Sequence, residues 1–358
     1  MVRLPRPSRR LLVAGAALFL TAAAAPRSTP RAAIVRSEFI DPAPPYPQAH
    51  ASTIVELADG TIAAAWFGGS GEGQRDVAIW FARARAGGGW ETPVAVARDA
   101  HGPTWNPVLF QPPGGALHLF YKIGPSPREW RGMEITSSDG GRHWSAPRAL
   151  PDGVLGPIKN KPVVLADGTW LSPSSREVGT PGHNRWFLRM ERSVDAGRTW
   201  TAGGEIASPV GLEAIQPSVL TLADGTLELV ARTRQGVLAV SRSRDAGRSW
   251  SPLAALALPN PNAGTDAVTL RDGRHVLVYN DAAHDPDTPG NGPRWPLGVV
   301  FSDDGVHWRR VLTLEARPLP DGYAYPAVIQ ARDGRVHITY TWNRTRIRHV
   351  VLDPKMVR

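Results

Sequence analysis

The chain has 358 residues, a formal net charge of +9, 36 glycines, 34 prolines, 13 tryptophans and no cysteine. Without thiols it can form no disulfide, thiolate metal site or cysteine nucleophile, and its Gly and Pro content describes a turn-rich chain stabilised by packing and hydrogen bonds. The basic excess contains no dense Lys/Arg run with interleaved aromatics, so nucleic acid is not an expected partner, whereas a small acidic ligand is.

The first predicted element is an export signal over residues 1–25. Arg3, Arg6, Arg9 and Arg10 precede the apolar run Leu11 to Ala25, which ends in small residues suited to cleavage. Ser8-Arg9-Arg10-Leu11-Leu12 also fits a twin-arginine signal, so both the Sec and the twin-arginine routes are open. About fifteen apolar residues are short for a bilayer span. The cleaved protein is therefore expected in the periplasm or outside the cell, without stable membrane insertion. Removing the four signal arginines lowers the formal charge from +9 to +5.

Residues 34–353 read as a single all-β domain, beginning with a strand near Ile34 to Phe39. After it, Asp59-Gly60, Gly114-Gly115, Asp167-Gly168, Asp224-Gly225, Asp272-Gly273 and Asp333-Gly334 each sit between two β-rich runs and read as hairpin turns. A second pattern recurs between them: Ser137-Ser-Asp-Gly-Gly-Arg-His-Trp144 returns at Ser193–Trp200 and Ser243–Trp250, one residue shorter at Ser302–Trp308, and as a worn copy at Arg85–Trp90. In it, Asp and Gly make a tight turn whose side chain caps its own backbone, and Trp packs between neighbouring sheets. Six hairpins with five such turns predict a six-bladed β-propeller, in which the strand at 34–39 completes the last blade and removes exposed sheet edges.

In a propeller the innermost strand of each blade offers one residue near its end to the central channel. The tripeptides upstream of the hairpins are His50-Ala51-Ser52, Trp105-Asn106-Pro107, Asn160-Lys161-Pro162, Ile215-Gln216-Pro217, Thr265-Asp266-Ala267 and Ala324-Tyr325-Pro326. The predicted ring is His50 (or Ala51), Asn106, Lys161, Gln216, Asp266 and Tyr325, a polar set suited to a small molecule rather than to packing. Strands returning to the same face add Glu72, Arg75, Asp76, Lys122, Arg128, Arg176, Glu177, Arg232, Arg234, Asn280, Asp281 and Arg344. Cations outnumber acids there, and an arginine fork matches a carboxylate. His101, His183, His284 and His349 lack metal-ligand spacing and there is no cofactor loop, so neither metal nor cofactor is expected.

The Ser-x-Asp-x-Gly-x-x-Trp turns resemble the Asp-boxes of sialidase (neuraminidase) and BNR-repeat propellers, and the chain is most similar to the group called predicted neuraminidases. His50-Ala-Ser-Thr-Ile, Trp105-Asn-Pro-Val-Leu-Phe, Gly156-Pro-Ile-Lys-Asn-Lys-Pro and Pro259-Asn-Pro-Asn-Ala-Gly-Thr-Asp266 carry the resemblance across nearly the whole domain. Sialidases hold the substrate carboxylate with three arginines, use a tyrosine nucleophile activated by a glutamate, and employ a mobile aspartate as acid/base. The resemblance assigns the nucleophile to Tyr325, with Tyr323 as the fallback, two of the arginines to Arg232 and Arg294, and the acid/base to Asp76 or Glu72. The first blade offers His50 and Ala51 where an arginine is implied. Gln216 stands where the glutamate is implied, with Glu213 nearby as a substitute. A glutamine cannot accept the phenol's proton, and Lys161 is expected to supply positive charge beside the tyrosine.

The resemblance implies an exo-acting glycoside hydrolase that removes a terminal acidic sugar from a glycan or glycoconjugate. Arg232 and Arg294 would bind the carboxylate, Tyr325 would attack or stabilise the oxocarbenium-like centre, and Asp76 or Asp266 would protonate the leaving oxygen. Two alternatives stay open: a uronic-acid-directed lyase or rhamnosidase-like enzyme with His50 as acid/base, and a non-catalytic glycan-binding propeller, for which Gln216 is the main argument.

Overall fold

The computed structural model describes residues 33–285, 287 and 292–357; the export signal expected over 1–25 lies outside them. Among the described residues, 24 strands run in chain order as β1–β24, and no helix is long and apolar enough to cross a membrane.

The strands form six four-stranded antiparallel sheets, five of them built from consecutive strands. The sixth takes β22 (Tyr323–Gln330), β23 (Val336–Trp342) and β24 (Arg346–Leu352) and is completed by β1 (Ile34–Phe39), which sets Glu38 opposite His349. This is the six-bladed propeller, closed by the strand, that the turn spacing predicts. The innermost strands are β2 (Gln48–Glu56), β6 (Thr104–Phe110), β10 (Val163–Val164), β14 (Ala214–Thr221), β18 (Asp266–Thr269) and β22.

Blade geometry explains why the core is divided. The second strand of a blade is covered on both faces, so β3 (Ile62–Gly69) reads Ile-Ala-Ala-Ala-Trp-Phe-Gly-Gly and is buried throughout. Apolar residues gather in six separate clusters, one at each junction between neighbouring blades. At the junction of the fifth and sixth blades, for example, Val278, Val299 and Phe301 meet Val328, Ile338 and Val350. No single blade can bury its own faces, so the ring is the folding unit.

The Ser-Asp-Gly-Trp turns fasten these junctions. In the first full copy, Ser137 Oγ accepts from Gly141 N at 2.8 Å, and Asp139 Oδ1 accepts from Arg142 N at 3.1 Å and His143 N at 2.9 Å. These bonds hold the Asp139 carboxyl well below the usual carboxylate range. The turn's carbonyl then receives a cation from the preceding blade: Arg83 donates to Gly140 O at 2.6 Å, and Arg148 donates to Gly197 O at 2.8 Å one junction later. Gly141 adopts φ +87°, and a Cβ there would stand 2.4 Å from the Phe81 ring, itself packed on Trp144. Gly153 has a similar φ of +80° with nothing within 4 Å. Gly153→Ala should cost about 1 kcal/mol for its left-handed backbone alone. Gly141→Ala should cost about 3 kcal/mol, because overpacking is added. Chemical denaturation of the two variants checks the contrast, and equal losses would contradict it.

Candidate active site

The mouth of the channel is built by a break in the innermost strands. Ala51, Asn106, Gln216 and Tyr325 all adopt left-handed backbone, with φ of 54°, 34°, 60° and 51°. At each of them the ladder to the second strand slips, between His50 and Thr53, Trp105 and Val108, Ile215 and Ser218, and Ala324 and Ala327. In three blades a proline follows, which cannot donate to the ladder and disfavours ordinary helical backbone before it. A non-glycine residue held at positive φ stores strain of roughly 1–3 kcal/mol. Here the break turns one side chain per blade out of the sheet and into the channel.

All four residues lie eight positions before the first residue of their hairpin turn. The same spacing selects Lys159 in the third blade and Gly264 in the fifth. The ring is therefore Ala51, Asn106, Lys159, Gln216, Gly264 and Tyr325. Lys161 and Asp266, expected in the ring, lie two residues further along the chain, and His50 stands beside the ring position rather than in it. Lys161 Nζ pairs with Asp266 Oδ2 at 3.0 Å, and Asp266 also accepts from Ser218 Oγ and Val328 N, both at 2.8 Å. Asp266 thus staples the third, fourth, fifth and sixth blades below the mouth, with its oxygens fully engaged.

Lys159 crosses the channel. Its Nζ donates to Asn160 Oδ1 at 2.8 Å, Thr265 O at 2.9 Å and Pro326 O at 2.5 Å, and lies 5.7 Å from the centre of the Tyr325 ring. Gly264 leaves room for this: a Cβ there would stand 3.2 Å from both Lys159 Cε and Tyr325 Cδ2. Burial pushes the Lys159 ammonium down to about 7, with Lys161 and Arg232 acting in the same direction and Asp266 opposing. A second lysine, Lys122, is buried beneath Asn106 O and the carbonyls of Pro157 and Ile158, and burial likewise brings it to about 7.

Tyr325 sits at the centre. Gln216 Nε2 donates to its hydroxyl at 3.2 Å, Arg232 Cζ faces its ring at 5.6 Å, and the His50 ring lies 4.3 Å away on another side. His50 is 2% exposed and its Nδ1 bonds Thr341 Oγ1 at 3.0 Å. Burial, then the charges of Arg344, Arg294, Arg232 and Lys159, hold its imidazole well below the ordinary value, so it is a neutral wall. Arg232 donates to Asn262 O at 3.1 Å and Arg294 to Pro261 O and Gly292 O, both at 2.9 Å. Neither guanidinium has a carboxylate within ion-pair distance among the described residues. Burial and the neighbouring charge of Arg232 push Arg294 down to about 10, which leaves it a cation at neutral pH.

Arg344 enters from an unexpected direction. It occupies the tip of the β23–β24 hairpin at φ 50°, next to Asn343 at φ 48°, and its carbonyl accepts from Ala49 N at 2.7 Å. The sixth blade thereby leans over the first, where Ala51 leaves space. Glu72 Oε2 holds the guanidinium at 2.7 Å. Asp76, on the same exposed loop as Glu72, accepts from Ser70 N at 2.8 Å and Ser70 Oγ at 2.7 Å, which lowers its carboxyl below the ordinary range. Glu213 is engaged by Arg234 at 3.0 Å, and Tyr323 is buried between the fifth and sixth blades. Glu177, on β11 (Trp170–Thr180), accepts from Asn184 Nδ2 at 3.1 Å and is raised by burial. The pairing of Lys159 with Tyr325 and the reach of Arg344 are what motif comparison misses; counting back from each hairpin finds the first.

A BNR repeat-like domain matches residues 60–338, well over half of the chain. The chain belongs to the BNR repeat-like domain family. No curated protein matches this BNR propeller in sequence, but many solved structures share its fold. A protein of unknown function from Dyadobacter fermentans superposes with a TM-score of 0.74 at 17% identity, covering 91% of this chain and 99% of that one. The NanB sialidase of Streptococcus pneumoniae gives 0.67 at 14% identity over 87% of this chain and 69% of that one. The intramolecular trans-sialidase of Ruminococcus gnavus, solved with oseltamivir carboxylate, gives 0.68 at 14% identity over 91% and 99%. The BNR propeller thus has the sialidase-like fold.

The Lys159 ammonium makes stability depend on pH in a defined direction. Its ordinary value is 10.5 and its folded value about 7, so between these limits the unfolded chain binds more protons and stability rises with pH. Lys159→Met should therefore show a shallower rise from pH 7 to 10 than the parent in denaturation series. Parallel profiles would contradict the burial of this charge.

Proposed function

We propose that the protein is an exo-acting glycoside hydrolase that removes a terminal carboxylated sugar, working outside the cytoplasm after export through the signal at 1–25. The observation that carries this reading is the surplus of positive charge around Tyr325. Arg232, Arg294, Arg344 and Lys159 converge on the mouth, and only Arg344 has a carboxylate partner at ion-pair distance. An uncompensated cluster in a half-buried basin is stabilised by an anionic ligand, and planar guanidinium groups favour a carboxylate. Arg344 takes the third arginine's place, which the first blade leaves to Ala51.

In this reading the terminal sugar sits with its carboxylate on the three arginines and its anomeric carbon over Tyr325 Oη. The phenolic oxygen attacks that carbon as its proton passes to solvent, and the leaving oxygen takes a proton from the 70–76 loop, with Asp76 as donor after it parts from Ser70, whose bonds hold its carboxyl low, and takes up a proton from solvent. Water then attacks the anomeric carbon and gives a proton to the Asp76 carboxylate, and the phenolic oxygen leaves that carbon and is reprotonated from solvent. Gln216 is a hydrogen-bond donor to Tyr325 and not its base. The charges of Lys159 and Arg232 facing the ring offset the negative charge the oxygen carries in attack. His50, buried and neutral, is a packing surface for Tyr325, which speaks against a reaction that uses it as acid.

The test is hydrolysis of a fluorogenic sialoside and a panel of uronic-acid glycosides by the purified protein. Turnover of at least one carboxylated glycoside is expected, with neutral glycosides inert, and Tyr325→Phe should lower kcat by about 100-fold or more. Arg344→Leu should chiefly raise KM, by ~10–100-fold, which corresponds to losing one charge-assisted contact of about 1.5–3 kcal/mol. Binding of the acidic sugars without turnover would instead identify a glycan-binding propeller, and preference for neutral glycosides would overturn the reading.

A further inference from the structure

A second cavity opens on the mouth face, in the crevice between the first and second blades. It measures about 500 Å³ and is lined by Gly73 and Arg75 of the 70–76 loop, by the 99–103 segment with Asp99 and His101, and by the 123–131 segment with Glu129 and Arg131. That volume lies within the range of sites for small ligands, roughly 300–1,000 Å³. No part of the mechanism above uses it.

Its position relative to Tyr325 is defined by a radial row of rings. Tyr325 meets His50 at 4.3 Å between ring centres, His50 meets Phe67 at 5.5 Å, Phe67 meets Trp105 at 6.4 Å, and Trp105 meets Trp130 at 5.7 Å. Trp105 immediately precedes the ring residue Asn106, and its indole lies directly under Gly73, where a Cβ would stand 3.2 Å away. The row meets the cavity through Gly73, which lies over Trp105 and lines the cavity, and the 70–76 loop, whose Glu72 holds Arg344, borders both cavity and basin.

We propose that this crevice is the leaving-group subsite and takes the hydroxylated sugar residue to which the terminal carboxylated sugar is joined. The inference rests on the hydrolase reading above, because it is the 70–76 loop that protonates the leaving oxygen, so the chain beyond that oxygen must pass along the loop. The lining suits such an occupant. Arg75 and Arg131 stand on opposite walls, and neither side chain makes a hydrogen bond or ion pair with another described residue. Asp99 and Glu129 are already partly engaged, Asp99 by His101 N at 2.7 Å and Glu129 by Ser126 Oγ at 2.8 Å. The two guanidinium groups, the second oxygens of Asp99 and Glu129 and the His101 ring together offer donors and acceptors, which match the hydroxyl groups of a sugar better than a flat apolar ring.

Gly102 provides the means of testing this. It lines the cavity, its backbone is not left-handed, and a Cβ there meets nothing within 4 Å, so a large side chain can grow into the space without strain at its base. Gly102→Trp is compared with the parent on two substrates that share the reactive terminal sugar: its glycosyl fluoride, whose leaving group needs no subsite, and a disaccharide. The expected result is a loss of at least ~10-fold in kcat/KM on the disaccharide with less than ~2-fold change on the fluoride. Arg131→Ala, which adds no bulk, should lower the disaccharide value alone by ~3–10-fold and guards against a misfolded plug. A parent active on both substrates, with variants that change neither or both equally, would overturn the subsite and leave the hydrolase standing. A parent that turns over neither substrate would overturn both together.

Discussion

Everything at the mouth depends on a main-chain feature: the left-handed residue that interrupts an innermost strand eight positions before its hairpin. In a regular strand that side chain would lie against the neighbouring blade, and Tyr325 would be one more core aromatic. With the backbone at φ 51° it faces the channel instead, and Gln216 at φ 60° arrives beside it from two blades away. The strain is sustained because the flanking junctions are locked by their own apolar clusters and by turn carbonyls bound to arginines of the preceding blade, Ala331 O to Arg271 and Ala246 O to Arg192. Rigidity of the junctions and precision of the site have one origin.

The second constraint is electrostatic. Three guanidinium groups and the Lys159 amine, which burial brings to about 7, gather at the head of the channel, and of the nearby carboxylates Glu72 pairs with Arg344, Asp266 is held in its staple beneath the mouth, and Glu177, which accepts from Asn184, acts on Arg232 without contacting it. Like charges held this close in low dielectric raise the free energy of the empty site. Burial is the larger cause of the lowered values of Arg294 and Lys159 and of a His50 held neutral, and the neighbouring cations push each in the same direction. A site poised in this way stabilises an anion by relief of repulsion as well as by direct hydrogen bonds. The neutral amide of Gln216 fits the same logic, since a glutamate there would neutralise part of the field that an incoming carboxylate and a phenolic nucleophile both exploit.

Blade number, closure by residues 34–39 and the fold class were legible because they rest on turn chemistry. Asp-Gly pairs and Ser-Asp-Gly-Trp turns demand particular backbone conformations and therefore keep particular residues. The ring was legible in three blades, and in the first only as the alternative to His50. It slipped in the third because Asn160-Lys161-Pro162 imitates Trp105-Asn106-Pro107, so the proline draws the alignment two residues too far. In the fifth blade the ring position is a glycine, which offers no side chain to align, and Asp266 two residues on is the nearest polar substitute. Lys159 was within reach by counting back from Asp167. The role of Arg344 was not, because it depends on a hairpin of the sixth blade folding over the first, a relation between segments nearly 300 residues apart that no local pattern encodes.

The claim on which the functional reading stands is that this cluster of cations recognises a carboxylate. Titration calorimetry of the Tyr325→Phe protein with a carboxylated monosaccharide and with its uncharged methyl ester measures that directly. The acid should bind at least ~10-fold more tightly than the ester, as expected for about 1.5 kcal/mol or more of charge-assisted hydrogen bonding, with the difference shrinking as salt is raised. Equal affinity for acid and ester would contradict it.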